Sequence, residues 1–444
     1  MKKFLAIALA LILALGMVAC STPAEAPAEE PAAETPAEEA PAEEAPAEEA
    51  PAEEAPAEEA ADGRAAREPI AAADLKIGVI LVHDENSGYD LAHIEGVQAA
   101  IAELGIDESQ VIFKYNIPED ETCYDNAVDL AEQGCQIVFS DSYGHQTYMM
   151  QAAAEYPDVT FVACTGDMAA ASTPNTANIF PYTFQSRYVS GVVAGMKLKE
   201  LMDAGTVTDP YVGYVGAYPY DEVVSGYTAF YLGIKSIVPE AHMDVQYTNS
   251  WYDPIEEAAA AEALISRGCV IIGQHADSTG APQAVQAQLD AGKVCYSVGY
   301  NIDMLTVAPT AALTSAQNHW AALYTPTINR MLTGEAMPAD FALGYADDAV
   351  MISALGESCA EGTAEKVEEV VAGLKDGSIQ VFDTANFTVN GETITTSLAL
   401  DTDGDFVKDS GEAIVDGVFQ ESVLRSAPYF GLRIDGITEL SSES

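Results

Sequence analysis

From Leu75 onward one pattern recurs along the chain: a short, almost unbroken apolar run, a polar loop, and then a stretch of helical periodicity. Leu75-Lys76-Ile77-Gly78-Val79-Ile80-Leu81-Val82 opens it, residues 84–88 form the loop, and the helical pattern fills 89–104. Runs without polar alternation suit strands covered on both faces, as in a parallel sheet flanked by helices. Further strands are expected at 110–115, 136–140 and 160–164, with helices at 127–133 and 146–156. A second series places strands at 211–216, 243–247, 270–273 and 294–298, and helices at 226–237, 253–266 and 281–291. The expected fold class is therefore α/β, with two doubly wound lobes. Ligands of such sheets bind outside the carboxyl ends of the strands, so the loops after the strands matter most.

The chain of 444 residues carries 70 Asp+Glu against 18 Lys+Arg, a net charge of -52. Such a chain is repelled by phosphate backbones and anionic membrane surfaces, which argues against nucleic-acid binding. Residues 21–61 hold 14 Glu and no Lys or Arg, but the chain from Asp62 onward still carries 16 basic against 56 acidic residues. Met1-Lys2-Lys3, an apolar run over 4–18 and Met17-Val18-Ala19-Cys20 fit the pattern of a secretory signal, too short for a comfortable membrane span. Its end resembles a bacterial lipobox, which makes Cys20 the expected site of lipidation. Two or more acyl chains on one residue anchor stably where one is marginal.

Five consecutive Pro-Ala-Glu-Glu-Ala repeats fill residues 36–60. Proline at every fifth position prevents a continuous helix, the glutamates repel one another, and no large apolar side chain is present. A disordered linker is expected over 21–74, whose roughly 40 low-complexity residues reach on the order of 120 Å when extended.

Catalytic signatures are missing. His83, His93, His145, His242, His275 and His319 form no zinc spacing with one another or with the cysteines, and no Walker loop, nucleophile elbow or dinucleotide fingerprint occurs. The six cysteines after Cys20 include no Cys-x-x-Cys; Cys135, Cys164, Cys269 and Cys295 fall in or beside buried strands and read best as core thiols. The post-strand loops are instead rich in aromatic and uncharged polar groups: Ser140-Asp141-Ser142-Tyr143-Gly144, Asn249-Ser250-Trp251-Tyr252-Asp253-Pro254, Gln274-His275-Ala276-Asp277-Ser278-Thr279-Gly280 and Gly299-Tyr300-Asn301-Ile302-Asp303. Aromatic faces with a few oriented polar groups line small-molecule pockets. Asp253 before Pro254 also has a plain structural use, as a helix cap.

Ala154-Glu155-Tyr156-Pro157-Asp158-Val159-Thr160-Phe161, Tyr188-Val189-Ser190-Gly191-Val192-Val193-Ala194-Gly195, Tyr211-Val212-Gly213-Tyr214-Val215-Gly216 and Leu313-Thr314-Ser315 make the chain recognisable. It resembles the basic membrane protein family of bacterial substrate-binding lipoproteins, whose better-known members are purine nucleoside receptors of ABC importers. The resemblance covers residues 75–355 well and the C-terminal part more loosely. Trp251-Tyr252-Asp253-Pro254 and Gln274-His275-Ala276-Asp277-Ser278 look most like a branch associated with adenine-type ligands.

The resemblance implies a type I periplasmic-binding-protein fold, two α/β lobes joined by a three-crossing hinge. The crossings are expected near Phe184, Asp303 and Tyr345, giving 75–183 and 304–345 to lobe 1 and 184–303 and 346–440 to lobe 2. Carried over by position, Tyr89 lies against the base, Trp251 opposes it from the second lobe, and Asp277 and Ser278 line the cleft. Asn301 and Asn318 stand where nucleoside-binding members carry an acid and a lysine for the ribose, a departure that favours a free base. Ser142, Tyr143, Asp253, His275, Asp303 and Trp320 complete the expected ligand-binding set.

The function expected is a lipid-anchored, extracytoplasmic receptor at the cell membrane, binding a purine base or related nucleobase or nucleoside. Its partners would be ABC permease and ATPase subunits, and it would touch the membrane through its lipid alone and be a monomer. The alternatives are a ligand-sensing lipoprotein signalling to a membrane receptor and a cleft hydrolase acting on nucleosides; no enzyme activity and no cofactor are expected. Asp401, Asp403, Asp405, Asp409 and Glu412 repeat the carboxylate spacing of a calcium loop, with Phe406 where the turn glycine belongs. A solvated acidic hairpin is the simpler reading of that segment, against a structural calcium ion.

Overall fold

The computed structural model describes residues 66–167, 173–401 and 407–440. The expected signal segment, Cys20, the linker up to residue 65, and the calcium candidates Asp403 and Asp405 lie outside these. Strand and helix alternate from the start: β1 (Ile77–Ile80), α1 (Gly88–Leu104), β2 (Val111–Lys114), α2 (Glu121–Glu132), β3 (Ile137–Ser140), α3 (Gln146–Glu155), β4 (Thr160–Ala163) and β5 (Thr176–Pro181). A second series follows with α4 (Thr183–Asp203), β6 (Tyr211–Gly216), α5 (Asp221–Lys235), β7 (His242–Tyr247), α6 (Pro254–Arg267), β8 (Ile271–Gln274), α7 (Gly280–Asp290), β9 (Tyr296–Tyr300) and β10 (Ala312–Asn318). Then come α8 (Ala321–Thr333), β11 (Asp340–Leu343), β12 (Val350–Ile352) and α9 (Thr363–Lys375).

The strands form two sheets. The first runs β2-β1-β3-β4-β5-β11, all parallel. The second runs β7-β6-β8-β9-β10 in parallel, with β12 added antiparallel to β10 and the strand Ile437–Glu439 added parallel to β7. Both sheets are covered on two faces. Ile77 and Val79 of β1 pack with Val97, Ile101, Leu323 and Ile328, whereas Ile80 packs with Leu130 and Phe161 on the other side. Full burial of such side chains contributes about 1.5–3 kcal/mol each, which is why β1 has no polar position.

Local signals place the helices. Ser87 caps α1 and Gly105 closes it at φ 69, while Asp253 caps α6 with Pro254 in its first turn. The long α4 lies against α5 and against β10. Gly191 of α4 permits that approach, because a Cβ there would stand 2.1 Å from the Phe230 carbonyl oxygen.

The chain passes between the sheets three times: between β5 and α4, between β10 and α8, and between β11 and β12. The second passage differs from expectation. It falls after Asn318 rather than near Asp303, because Ala312–Asn318 pairs with β9 and extends the second sheet. Its sequence, Ala-Leu-Thr-Ser-Ala-Gln-Asn, has too few large apolar residues to read as a buried strand. The end of the expected linker also differs. Arg67 donates from Nη1 to the Asp158 carbonyl at 2.8 Å and Ile70 packs against the first lobe's core, so residues 66–74 are docked on that lobe.

Gly191→Ala should lower stability by at least about 1–3 kcal/mol, since an overpacked methyl facing backbone has no rotamer to escape into. Calorimetric unfolding checks this, and an unchanged midpoint would contradict the close α4–α5 packing.

Candidate functional site

A narrow slot lies between the lobes, lined by Val82, Tyr89, Asp141, Ser142, Tyr143, Thr165, Glu222, Trp251, His275, Asp277 and Tyr300. Every lining residue lies at or beyond the carboxyl end of a strand, where doubly wound sheets bind ligands. Lobe 1 supplies Val82 after β1, Tyr89 at the start of α1, Asp141 to Tyr143 after β3 and Thr165 after β4. Lobe 2 supplies Glu222, Trp251, His275, Asp277 and Tyr300 after β6, after β7, after β8 and at the end of β9.

Hydrogen bonds fix the lobe 1 wall. The Tyr89 hydroxyl donates to the Asp141 and Cys164 carbonyls at 2.9 and 3.0 Å, and the ring is backed edge-on by His93 and Trp320. Ser142 Oγ donates to Glu119 Oε1 at 2.6 Å, and the Tyr143 hydroxyl to Asp167 Oδ2 at 2.6 Å. The Val82 amide donates to Asp141 Oδ1 at 3.0 Å. Burial first, and then the neighbouring Asp90 carboxylate, push Asp141 well above the usual carboxylate range. Burial would raise Asp90 too, but hydrogen bonds from His83 and Ser87 outweigh it and Asp90 stays low. Asp141 is therefore the protonated member of the pair.

In lobe 2, Asp277 accepts from Asn301 Nδ2 at 2.8 Å and is also pushed well up, by burial and then by Glu257. Burial raises Glu222 to about 7 against the opposing pull of Arg187. His275 Nε2 lies 3.3 Å from Glu222 Oε1, but burial and the Arg187 charge hold the imidazole well below its ordinary value, so it is neutral. Arg187 itself does not line the slot. Its guanidinium stacks on Tyr300, 3.5 Å from the ring centre, and donates from Nη1 to the Gln274 carbonyl at 2.5 Å. Thr165 Oγ1, Trp251 Nε1 and His275 Nδ1 are buried polar atoms of slot residues with no partner among the described residues.

Of the expected ligand-binding residues, Tyr89, Ser142, Tyr143, Trp251, His275 and Asp277 meet in this slot. The others act elsewhere. Asp253 accepts from the Ile255 and Glu256 amides as the cap of α6, and Ser278 is fully buried, its amide donating to Glu257. Asn301 stands behind Asp277, and Asp303 caps the short turn Met304–Thr306. Asn318 accepts from Thr183 Oγ1 at 2.9 Å near the second crossing. Trp320 is 1% exposed in the core of lobe 1, its ring 3.8 Å from that of His93. Its aromatic size reads as a ligand platform in sequence, but α1 opens a niche for it at Gly96, where a Cβ would stand 2.5 Å from the Trp320 Cβ. Thr165 and Glu222 were not expected, while Asp141 and Tyr300 stand in the post-strand loops singled out in the sequence but outside the expected ligand-binding set. The expected helix began at residue 226, ahead of which Glu222 fell in a loop, whereas α5 starts at Asp221 and carries Glu222 in its first turn.

The other expectations also find their places. Glu412 Oε1 accepts the Ser397 and Ile414 amides at 2.8 and 2.9 Å, and the Asp409 amide donates to the Leu400 carbonyl at 2.8 Å in the adjoining hairpin, which also holds Asp401. Among the described residues no group of three or more metal-ligating side chains comes together. Among the described residues six cysteines are free thiols, with Cys123, Cys135, Cys164, Cys269 and Cys295 buried and Cys359 half-buried.

Two doubly wound lobes, crossed three times and meeting at their strand carboxyl ends, define a type I periplasmic binding protein. Solved structures agree in fold: an ABC transporter solute-binding protein of Conexibacter woesei has a TM-score of 0.55 at 20% identity, covering 69% of this chain and 98% of its own. One of Aeropyrum pernix K1 has a TM-score of 0.58 at 15% identity, covering 72% and 94%. The chain belongs to the Bmp family of PnrA-like ABC transporter substrate-binding proteins, whose profile matches residues 77–387. It is 29% identical to a purine-binding protein of Brucella abortus over 70% of this chain and 84% of that protein. It is 30% identical to a putative ABC transporter glucose-binding protein of Haloferax volcanii over 53% and 56%.

Glu222, Glu257 and Glu421 are each raised to about 7, chiefly by burial. Each keeps its proton in the fold where the unfolded chain, with its ordinary value of 4.5, has lost it. The stability these three groups contribute therefore falls as pH rises through that window and is level on either side of it. The thermal midpoint should drop between about pH 5 and 7.5, and Glu222→Gln should flatten part of the slope. A midpoint rising across that window would contradict the burial of these carboxyls.

Proposed function

We propose that this protein is the extracytoplasmic receptor of an ABC importer and that its slot binds a purine-type heterocycle. The observation that carries the reading is the chemistry of the wall: Asp141, Glu222 and Asp277 face the slot among the five rings of Tyr89, Tyr143, Trp251, His275 and Tyr300, and none of the lining residues is Lys or Arg. A carboxylate or phosphate ligand would enter beside three carboxyl groups with no cation in the wall to bond it, since Arg187 lies behind the Tyr300 ring. A flat nitrogen heterocycle fits, because its ring edge offers N–H donors to carboxyl oxygens and ring nitrogens to the Trp251, His275 and Thr165 polar atoms, while its faces meet aromatic side chains. The purine-binding relative supports the same class. The reading is binding without turnover, supported by the substrate-binding family to which the chain belongs.

Asn301 and Asn318, which favoured a free base as the weak half of a ribose grip, lie outside the lining. Base and nucleoside are therefore separated by titration. Calorimetry with adenine, guanine, adenosine, guanosine, ribose and glucose should show purines binding tightest; glucose binding without purine binding would overturn the ligand class.

Trp251 and Tyr89, from opposite lobes, are the proposed ring contacts. Stacking of a base on an aromatic contributes about 1–3 kcal/mol, so Trp251→Ala should weaken purine binding by roughly ten- to a hundredfold. Unchanged affinity would return Trp251 to its packing role against Tyr218 and Tyr220.

Among the described residues no helix is long and apolar enough to cross a membrane. The proposed attachment is the lipid on Cys20, with the proline-rich repeats as spacer between membrane and lobes. Cys20→Ser should move the protein from the membrane fraction to the soluble fraction, and retention of that variant on membranes would contradict the anchor.

A further inference from the structure

The family match ends at residue 387, but the chain continues for another built element. Phe387, Phe419, Tyr429, Phe430 and Ile434 are buried in the core of lobe 2, and Ile437–Glu439 extends its sheet beyond β7. Anchored there, the segment reaches across to lobe 1. The Ser426 amide donates to Asp340 Oδ2 at 2.9 Å, and Asn178 Nδ2 bonds Ser426 Oγ. Arg425 Nη1 lies 3.2 Å from Asp167 Oδ2, the same oxygen that accepts from the Tyr143 hydroxyl at 2.6 Å. The Arg425 side chain is 13% exposed and its other donors reach the Ala427 and Pro428 carbonyls, which hold the guanidinium toward lobe 1. A cavity separates this contact from the body of lobe 2, and Tyr143, Thr165 and Glu222 line both it and the ligand slot.

We propose that Arg425 is a positioning residue for ligand binding: through Asp167 it fixes Tyr143 in the slot wall and latches lobe 2 to lobe 1 beside the bound ligand. The inference rests on the slot being the ligand site. Asp167 and Tyr143 belong to lobe 1 and Arg425 to the segment anchored on lobe 2, so opening the cleft breaks the ion pair while leaving the Tyr143–Asp167 bond intact. The latch therefore acts on ligand escape. Entry, through the open form, proceeds without it.

The test uses the full chain with adenine as probe and follows intrinsic fluorescence in stopped flow. Arg425→Ala should raise the dissociation rate by roughly tenfold or more with association changed less than about threefold, the pattern of a lost closed-state ion pair. Arg425→Lys should recover part of it. Asp167→Asn, which leaves the C-terminal segment untouched, should match Arg425→Ala, and the double variant should be no faster than either single one. An unchanged dissociation rate in both single variants, or multiplicative effects in the double variant, would overturn the latch. Small-angle scattering of the ligand-free protein separates the two claims. A larger radius of gyration in ligand-free Arg425→Ala than in the ligand-free parent supports the latch even if adenine fails to bind, and equal radii in the two ligand-free proteins would overturn it.

Discussion

The parallel strand order governs everything else in this molecule. In each sheet the first two strands lie beside the third in the order second-first-third-fourth-fifth, so successive crossovers leave in opposite directions at one point on the carboxyl edge. That reversal opens a crevice in each lobe. Three chain passages bring the crevices together, and the residues that flank them, from Val82 and Asp141 on one side to Glu222 and His275 on the other, become two walls of one slot. The cross-lobe hydrogen bond from the Gly88 amide to the Asp277 carbonyl, 3.1 Å long, is possible because α1 begins right at that edge and its first amides have no partner within the helix.

A strongly acidic chain has built a binding slot out of acids without leaving bare buried charges. Asp141 keeps its proton against Asp90, Asp277 is bridged by Asn301, and Glu222 sits close to neutrality beside a neutral His275. Arg187 supplies positive potential from beneath Tyr300 without presenting a cation to the slot. The wall is thus rich in groups that accept or share protons, which suits a ligand with N–H edges better than an anion.

Much of the architecture was legible in the sequence because buried parallel strands leave uninterrupted apolar runs. β1, β3, β4, β6 and β8 are of that kind, and the first halves of both lobes follow from them. β10 was hidden by its small polar residues, which carried the second crossing fifteen residues too early in the sequence reading, from Asn318 to Asp303. Within the site, aromatic residues after strands were legible, and six of twelve expected residues meet in the slot. The failures share one cause. A short sequence segment does not say whether a cap, as at Asp253, or a niche, as at Gly96 for Trp320, has already used the side chain. Glu222 was missed for the converse reason, since only the fold turns an acidic first helical turn into a buried wall.

The central claim is that a planar nitrogen heterocycle is held by both lobes at once between their strand ends. A crystal structure grown with adenine tests it most directly. The account predicts ring density in contact with Tyr89 and Trp251, with the exocyclic amino group on Asp277, Glu222 or Asp141. Adenine held by one lobe alone, or outside this slot, would contradict it.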